Sequence, residues 1–401
     1  MLPLERLEIG ESKKRILKNI FDKKEITRAE LVKNVELSNL TVTKLVGELI
    51  KQGIVVESGS VSSAVGRHPA MLKINPDYKY TIGIDIGSYS VKIGVIKLNG
   101  EILEYEELKN TYVSSMSETI SIDDMCEYIK GLMKKYGREK FIGIGIGISG
   151  IVDCIEGKVV FCPNIRGYNE CRLADEISEK AGLPVIVDTT ARNMAFAEMY
   201  FGAGEGISNQ VFMSLGHRTI SSGLVVDSKL FRGANGFAGE IGHNRVERKE
   251  GSVCTCSNYG CLELSATMAM VIGKISRELK AFHGYSPAKL IIKDLDSINP
   301  DEIVESYKTG DRIVMSAVEE AAEDVGKILA DVVNVFNPNL IVLGGGFVER
   351  VPEIVSLIDR NVKKRCLVPV RPYLRIEKSR LGVAGTVLGG AMQIISEYIN
   401  C

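Results

Sequence analysis

The sequence predicts an α/β chain in two parts: a small helical module with a β-ribbon, then a duplicated α/β body whose halves enclose a cleft. Three observations predict it. Residues 12–75 carry three short amphipathic helical patterns and end in two strand patterns joined by a turn rich in Gly and Ser. The remainder holds two groups of buried-strand patterns separated by helices. At 401 residues, the chain is ample for two or three buried cores.

In the N-terminal module, Ser12 is placed to cap a helix with Ile16, Leu17, Ile20 and Phe21 on one face. Thr27-Arg28-Ala29-Glu30 reads as a capping box opening a second helix that carries Leu31 and Val32. Ser38 opens a third, where Val42, Leu45, Val46 and Leu49 form an apolar stripe. Its other side shows Asn39, Thr41, Thr43 and Lys44, groups suited to base edges and phosphates. Gly53 stops that helix, and Ile54-Val55-Val56 with Met71–Ile74 make a two-stranded wing bearing Arg67, within reach of a minor groove. The module is a winged helix-turn-helix over residues 1–75, with Arg28, Ser38, Asn39, Thr41, Thr43, Lys44 and Arg67 as candidate DNA contacts. The competing reading is a helical dimerisation module. Charge agrees with nucleic acid: residues 1–75 hold 13 Lys and Arg against 9 Asp and Glu, net +4, while the rest holds 37 against 42, net −5.

Residues 76–401 form the body. Tyr80 onward alternates apolar residues and turns at Asn99-Gly100, a β-hairpin, with Asp85-Ile86-Gly87 at its tip as a place for a metal-bound phosphate. A helix is expected near Met116–Tyr136, then the strand Phe141–Ile148, loops at Ser149–Asp153 and Pro163-Asn164, a helix near Asn169–Ala181, and a buried strand Pro184–Asp188. Strands near Gln210–Leu215 and Gly223–Asp227 follow. Helices over Leu262–Ala281 and Arg312–Phe336, the strand Leu340–Gly346 and a final helix opening at Gly382–Gly390 complete the chain.

The loop Gly233–Glu263 gathers Glu240, His243, Cys254, Cys256, Cys261 and Glu263. One imidazole and three thiolates at His243, Cys254, Cys256 and Cys261 are the donor set of a closed tetrahedral Zn2+ site, structural because no position stays open for water. The alternative is three unrelated thiols or a disulfide. Nine cysteines without a secretion signal, and a longest apolar run (Phe141–Val152) that is short and broken by glycines, point to a cytoplasmic protein with no membrane partner.

This loop resembles the zinc signature of the ROK family (repressors, open reading frames, sugar kinases): Gly239-Glu240, Gly242-His243, then Cys254, Cys256, Gly260-Cys261 and Glu263, with Ser257 in place of one glycine. Gly66-Arg67-His68-Pro69 similarly resembles the wing of ROK repressors. The resemblance implies an actin-like, hexokinase-like fold and sugar contacts from Glu240, His243 and Glu263. Asn164 borders the same site, and Thr189 and Thr190 stand at two further sugar-contact positions.

Where the chain departs from the family, it departs at phosphate chemistry. ROK kinases follow their buried strand with Asn-Asp-Ala-Asn, the Asp being the general base, whereas this chain reads Thr189-Thr190-Ala191-Arg192. Tyr89 replaces a small hydroxyl residue of the first phosphate loop, and Thr219 and Ser221 replace glycines of the second. The sequence therefore reads as a sugar-responsive regulator binding operator DNA as a homodimer or homotetramer, not as an enzyme. The runner-up is a ROK sugar kinase with an appended DNA-binding domain; a third reading makes the body a dimerisation scaffold only.

Overall fold

The computed structural model describes residues 2, 9–60, 70–88, 90–113, 116–118, 120–246 and 253–400. They divide into two compact units, residues 1–193 with 384–401, and residues 194–383. The expected boundary at 75/76 is internal to the first unit.

The first unit opens with α1 (Glu11–Lys23), which buries Ile16, Leu17 and Ile20. Gly10, not Ser12, precedes it, and no side chain caps it; the helix starts at Glu11, two residues before the Lys13 start that a Ser12 cap would give. β1 (Ile26–Thr27) leads into α2 (Arg28–Val35), whose capping box forms: Glu30 N–H donates to Thr27 Oγ1 at 3.2 Å and Thr27 N–H to Glu30 Oε2 at 3.0 Å. α3 (Asn39–Lys51) is capped by Ser38 Oγ, which accepts from Thr41 N–H at 3.1 Å, and it buries Val42, Val46 and Leu49. The wing is β2 (Val55–Ser60) paired with β3 (Ala70–Ile74); β1, too short to be read from the sequence, adds a third strand on β3. The tip of the wing, with Arg67, lies outside the described residues.

A five-stranded sheet follows from β4 (Tyr80–Ile86), β5 (Ser90–Lys97), β6 (Ile102–Lys109), β9 (Phe141–Ile148) and β12 (Val185–Thr189), in the order β12-β9-β4-β5-β6. Between them lie β7 (Thr111–Val113), β8 (Met116–Glu118), α4 (Ile122–Tyr136), β10 (Ile151–Asp153), β11 (Lys158–Phe161) and α5 (Leu173–Ala181). The helix expected from Met116 thus begins at Ile122, where Ser121 caps it by accepting from Asp124 N–H at 3.0 Å; Met116–Glu118 pairs instead with Thr111–Val113.

The Ile-Gly alternation of β9 now has a physical reason. Ile144, Ile146 and Ile148, with Ile82, Ile84 and Ile86 of β4, join one core with Met125 and Ile129 of α4 and Ile177 of α5. Gly83 and Gly145 point the other way, toward α14 (Gly385–Asn400). A Cβ on Gly145 would stand 1.9 Å from the carbonyl oxygen of Gly390, so only glycine lets this helix lie on the sheet. α1 of the N-terminal module also lies against α14.

The chain enters the second unit along α6 (Thr190–Phe201). Its sheet, from β13 (Gln210–Leu215), β14 (Ile220–Val226), β15 (Lys229–Phe231), β16 (Leu340–Gly344) and β17 (Arg375–Lys378), has the order β17-β16-β13-β14-β15. Two parallel neighbours on one side and an antiparallel meander on the other repeat the first sheet strand for strand. This is the expected duplication. The helices are α7 (Glu263–Ala266), α8 (Met268–Ala281), α9 (Ala288–Ile291), α10 (Pro300–Lys308), α11 (Arg312–Phe336), α12 (Gly346–Arg350) and α13 (Ile354–Arg365). The single helix expected over Leu262–Ala281 is broken at Thr267, whose extended backbone (ψ 154°) ends α7 and starts α8. α11 follows the sequence reading end to end: Asp311 accepts from the N–H groups of Ile313 and Val314, and Asn337 closes it with φ 47°.

Candidate functional site

Three places carry the residues singled out by sequence. The first is the outer face of α3. Asn39, Thr43 and Lys44 are exposed, and Thr43 Oγ1 lies 3.4 Å from Asn39 Oδ1. Ser38 and Thr41 share a 2.8 Å contact at the helix start, where the cap fixes both hydroxyls. Arg28 is paired with Glu57 of the wing at 2.5 Å, which ties α2 to β2.

The second is the loop that ends at α7. Ile241–His243 form one 3₁₀ turn, with His243 N–H donating to Glu240 C=O at 3.1 Å, so Glu240 and His243 lie one above the other. Gly242 allows this turn to sit against β14, since a Cβ there would be 2.0 Å from Ile220 C=O. From the same strand Ser222 Oγ donates to Gly239 C=O at 2.6 Å, and Ile220 N–H donates to Glu263 Oε1 at 2.7 Å. Glu240, His243 and Glu263 are therefore held from one strand end. Sequence reading missed Ile220 and Ser222, because main-chain donors and strand register leave no residue-type signal.

Cys254, Cys256 and Cys261 close on His243. Cys254 N–H donates to Asn258 C=O at 2.8 Å and Ser257 N–H to Cys254 C=O at 2.9 Å, a tight turn that holds Ser257 at φ 69°. Glycine would adopt that conformation without strain, which is the physical content of the one departure in the motif. The four candidate ligand atoms all lie within 4.8 Å of one another, with Cys254 Sγ 3.6 Å from His243 Nδ1 and Cys256 Sγ 3.6 Å from Cys261 Sγ. Metal–sulfur bonds of about 2.3 Å and metal–nitrogen bonds of about 2.0–2.1 Å in a tetrahedron require edges of roughly 3.6–3.8 Å. The two 3.6 Å edges fit that geometry, and these four residues could hold a metal ion. Burial pulls the His243 imidazole below its ordinary value, which keeps it in the neutral, ligating form. Burial pushes the Glu263 carboxyl up to about 7, opposed by the Ile220 N–H and reinforced by Glu240.

The third place, in the first unit, surrounds Asp85. This carboxylate is buried, and both oxygens are taken: Thr190 Oγ1 donates to Oδ1 at 2.9 Å, and Lys92 Nζ donates to Oδ2 at 3.0 Å. Burial alone would lower the Lys92 ammonium, yet the charge and hydrogen bond of Asp85 outweigh it and hold the lysine above its usual value. Thr189 Oγ1 accepts from Arg192 N–H at 3.2 Å and so serves the start of α6, while the fully buried Arg192 pairs with Asp188. Asn164 lies half-buried in the turn after β11. Separately, in the second unit, Thr219 C=O closes the 216–219 turn by accepting from Gly216 N–H at 2.9 Å; Tyr89 lies outside the described residues. Lys92 was legible in principle, since Asp85 and Lys92 are equidistant from the hairpin turn and face each other in register.

Comparison with known proteins identifies a family for the chain. The chain matches the ROK family over residues 81–397 and a winged helix-turn-helix DNA-binding model over residues 10–56. It is 33% identical to the xylose repressor of Caldicellulosiruptor bescii over 96% of this chain and 95% of that protein. It is 26% identical to the DNA-binding transcriptional dual regulator NagC of Escherichia coli over 89% and 85%. Among solved structures, a ROK family transcriptional regulator homologous to the E. coli MLC protein superposes with a TM-score of 0.79 at 26% identity, covering 97% of this chain and 96% of that one. A ROK family glucokinase from Streptomyces griseus, in complex with glucose and AMPPNP, superposes with a TM-score of 0.66 at 26% identity over 78% of this chain and 98% of that one. No helix among the described residues is long and apolar enough to cross a membrane.

Proposed function

Because the chain belongs to the ROK family and carries a winged helix-turn-helix ahead of its ROK body, we propose that it is a sugar-responsive, DNA-binding repressor of carbohydrate-utilisation genes that does not phosphorylate its sugar. The observation that carries this reading is Thr190. A threonine hydroxyl is no general base near neutral pH, and this one is engaged in donating a hydrogen bond to Asp85. The sugar-directed loop, by contrast, keeps Glu240, His243 and Glu263 on one rigid strand end.

In this reading the ion at His243, Cys254, Cys256 and Cys261 is zinc with a structural role, fixing the loop that positions both glutamates. Glu240 and Glu263 accept hydrogen bonds from sugar hydroxyls, joined by Asn164, Thr189 and Thr190, and His243 orients the loop through the metal. The relatives named as xylose repressors point to xylose as the effector. One recognition helix selects too little sequence, so two chains present a pair of α3 helices to successive major grooves of a pseudo-palindromic operator, in the cytoplasm. Sugar shifts DNA affinity by its differential affinity for two arrangements of that dimer.

The experiment is filter binding of the purified chain to the duplex upstream of its own gene, with a coupled ATP-turnover assay on the same preparation. A specific complex released by xylose, with no xylose-dependent turnover, is the expected result. Turnover at ordinary kinase rates would favour the glucokinase-like reading instead.

A further inference from the structure

Two exposed residues of α3 stand out among the described residues. Leu40 is 83% exposed, although Val42, Val46 and Leu49 of the same helix are fully buried. Gly47 sits in the middle of the helix, where glycine weakens helical structure relative to alanine. A Cβ built on Gly47 would meet nothing within 4 Å, and its φ is not positive, so neither packing nor turn geometry requires a glycine. Leu40, Thr43, Lys44 and Gly47 are spaced by three, four and seven, and all four are exposed: they form one stripe opposite the buried face.

We propose that Leu40 and Gly47 are specificity-determining residues of the DNA-reading face: Leu40 packs on the C5-methyl of a thymine in the major groove, and Gly47 lets the sugar–phosphate wall of that groove approach the helix backbone. The inference rests on the DNA-binding reading above and adds the base chemistry that α3 selects. In the major groove the thymine methyl is the apolar group of a base-pair edge, while the other groups there are hydrogen-bond donors or acceptors. An exposed leucine flanked by Asn39 and Thr41 is thus matched to thymine and poorly matched to the donor or acceptor edges of the other bases. Two turns on, a helix about 10–12 Å across fills a groove about 12 Å wide, and a missing side chain there removes the atoms that would hold the wall away.

The test uses the full chain and duplexes selected by it from a random 30-base-pair library. Each thymine of the selected half-site is replaced in turn by uracil, which deletes only the methyl. For the wild type, one position per half-site should lose roughly 3–10-fold in affinity. Leu40→Ala should bind thymine and uracil duplexes equally at that position while keeping the other selected bases. Gly47→Ala should leave the melting temperature unchanged or raise it, since alanine favours the helix, yet weaken binding several-fold. Wild type indifferent to every methyl, or Leu40→Ala retaining the discrimination, overturns the inference, as does Gly47→Ala binding as tightly as wild type. Leu40 serving as a protein-docking residue would appear as the first of these outcomes. A chain that selects no duplex at all overturns the DNA reading itself, a result distinct from selected duplexes with no methyl effect.

Discussion

Thr190 Oγ1 donates a hydrogen bond to Asp85 Oδ1 at 2.9 Å, joining the first residue of α6 to the end of β4. By the resemblance drawn from the sequence, the hydroxyl takes the place of a ROK kinase's general base, and the carboxylate it satisfies is the one the sequence offers for a metal-bound phosphate. Restoring the base alone should therefore fail. Thr190→Asp would place a second carboxylate against Asp85, with Lys92 as the cation bonded to Asp85, so the protein should show no sugar-dependent ATP turnover in a coupled assay. Turnover in Thr190→Asp comparable to a hexokinase would show that the rest of the phosphate machinery is intact.

Lys92 should matter more for stability than for ligand binding. Lys92→Met leaves the buried Asp85 without its ammonium partner, and breaking a buried pair from one side costs about 3–5 kcal/mol. Adding Asp85→Asn to it should recover most of that loss, because no uncompensated charge remains. Urea titration of both variants checks the order; equal midpoints for Lys92→Met and wild type would refute the assignment.

Glu198 gives a pH dependence. It is fully buried, and burial raises its carboxyl above the ordinary glutamate value of 4.5, against hydrogen bonds from Ser379 Oγ and the Ala203 and Arg380 N–H groups. The folded chain thus holds this proton more tightly than the unfolded chain does. Its contribution to stability is complete below the unfolded value and is lost as pH rises through the raised folded one. Glu198→Gln, neutral throughout and still able to accept from Ala203, should gain in melting temperature over wild type more at pH 8 than at pH 5. A difference that does not change between those two pH values would contradict the assignment.

The metal prediction joins two observations, the 3.6 Å edges of the cluster and the strand end that holds both glutamates. About one zinc per chain should copurify, and Cys256→Ser should lower both metal content and the effect of xylose on DNA binding. Elemental analysis of protein prepared without chelator decides the first part; a metal-free, fully xylose-responsive protein would exclude a structural zinc.

Much of this was legible because residue types announce it. The capping box at Thr27 and Glu30, the Ile-Gly alternation of β9 and the run of α11 each carry a local signal that tertiary structure did not override. The candidate metal ligands were legible for the same reason, since thiols and an imidazole crowd one loop. What stayed hidden depends on register or on main-chain groups. The Asp85–Lys92 pair needs the β4–β5 pairing, the Glu263 contact is a backbone N–H of Ile220, and the break at Thr267 comes from an extended residue inside an otherwise helical pattern. Short edge strands such as Lys229–Phe231 and Arg375–Lys378 are defined by their neighbours rather than by their own sequence.

The most direct measurement is fluorescence anisotropy of a labelled duplex from the chain's own promoter, titrated with wild type and with Glu240→Ala, each with and without saturating xylose at fixed salt. The account predicts a specific complex for both proteins, weakened roughly 5–150-fold by xylose for wild type and unchanged by xylose for Glu240→Ala. A wild-type complex indifferent to xylose and to other pentoses and hexoses, or no specific complex at all, would contradict it.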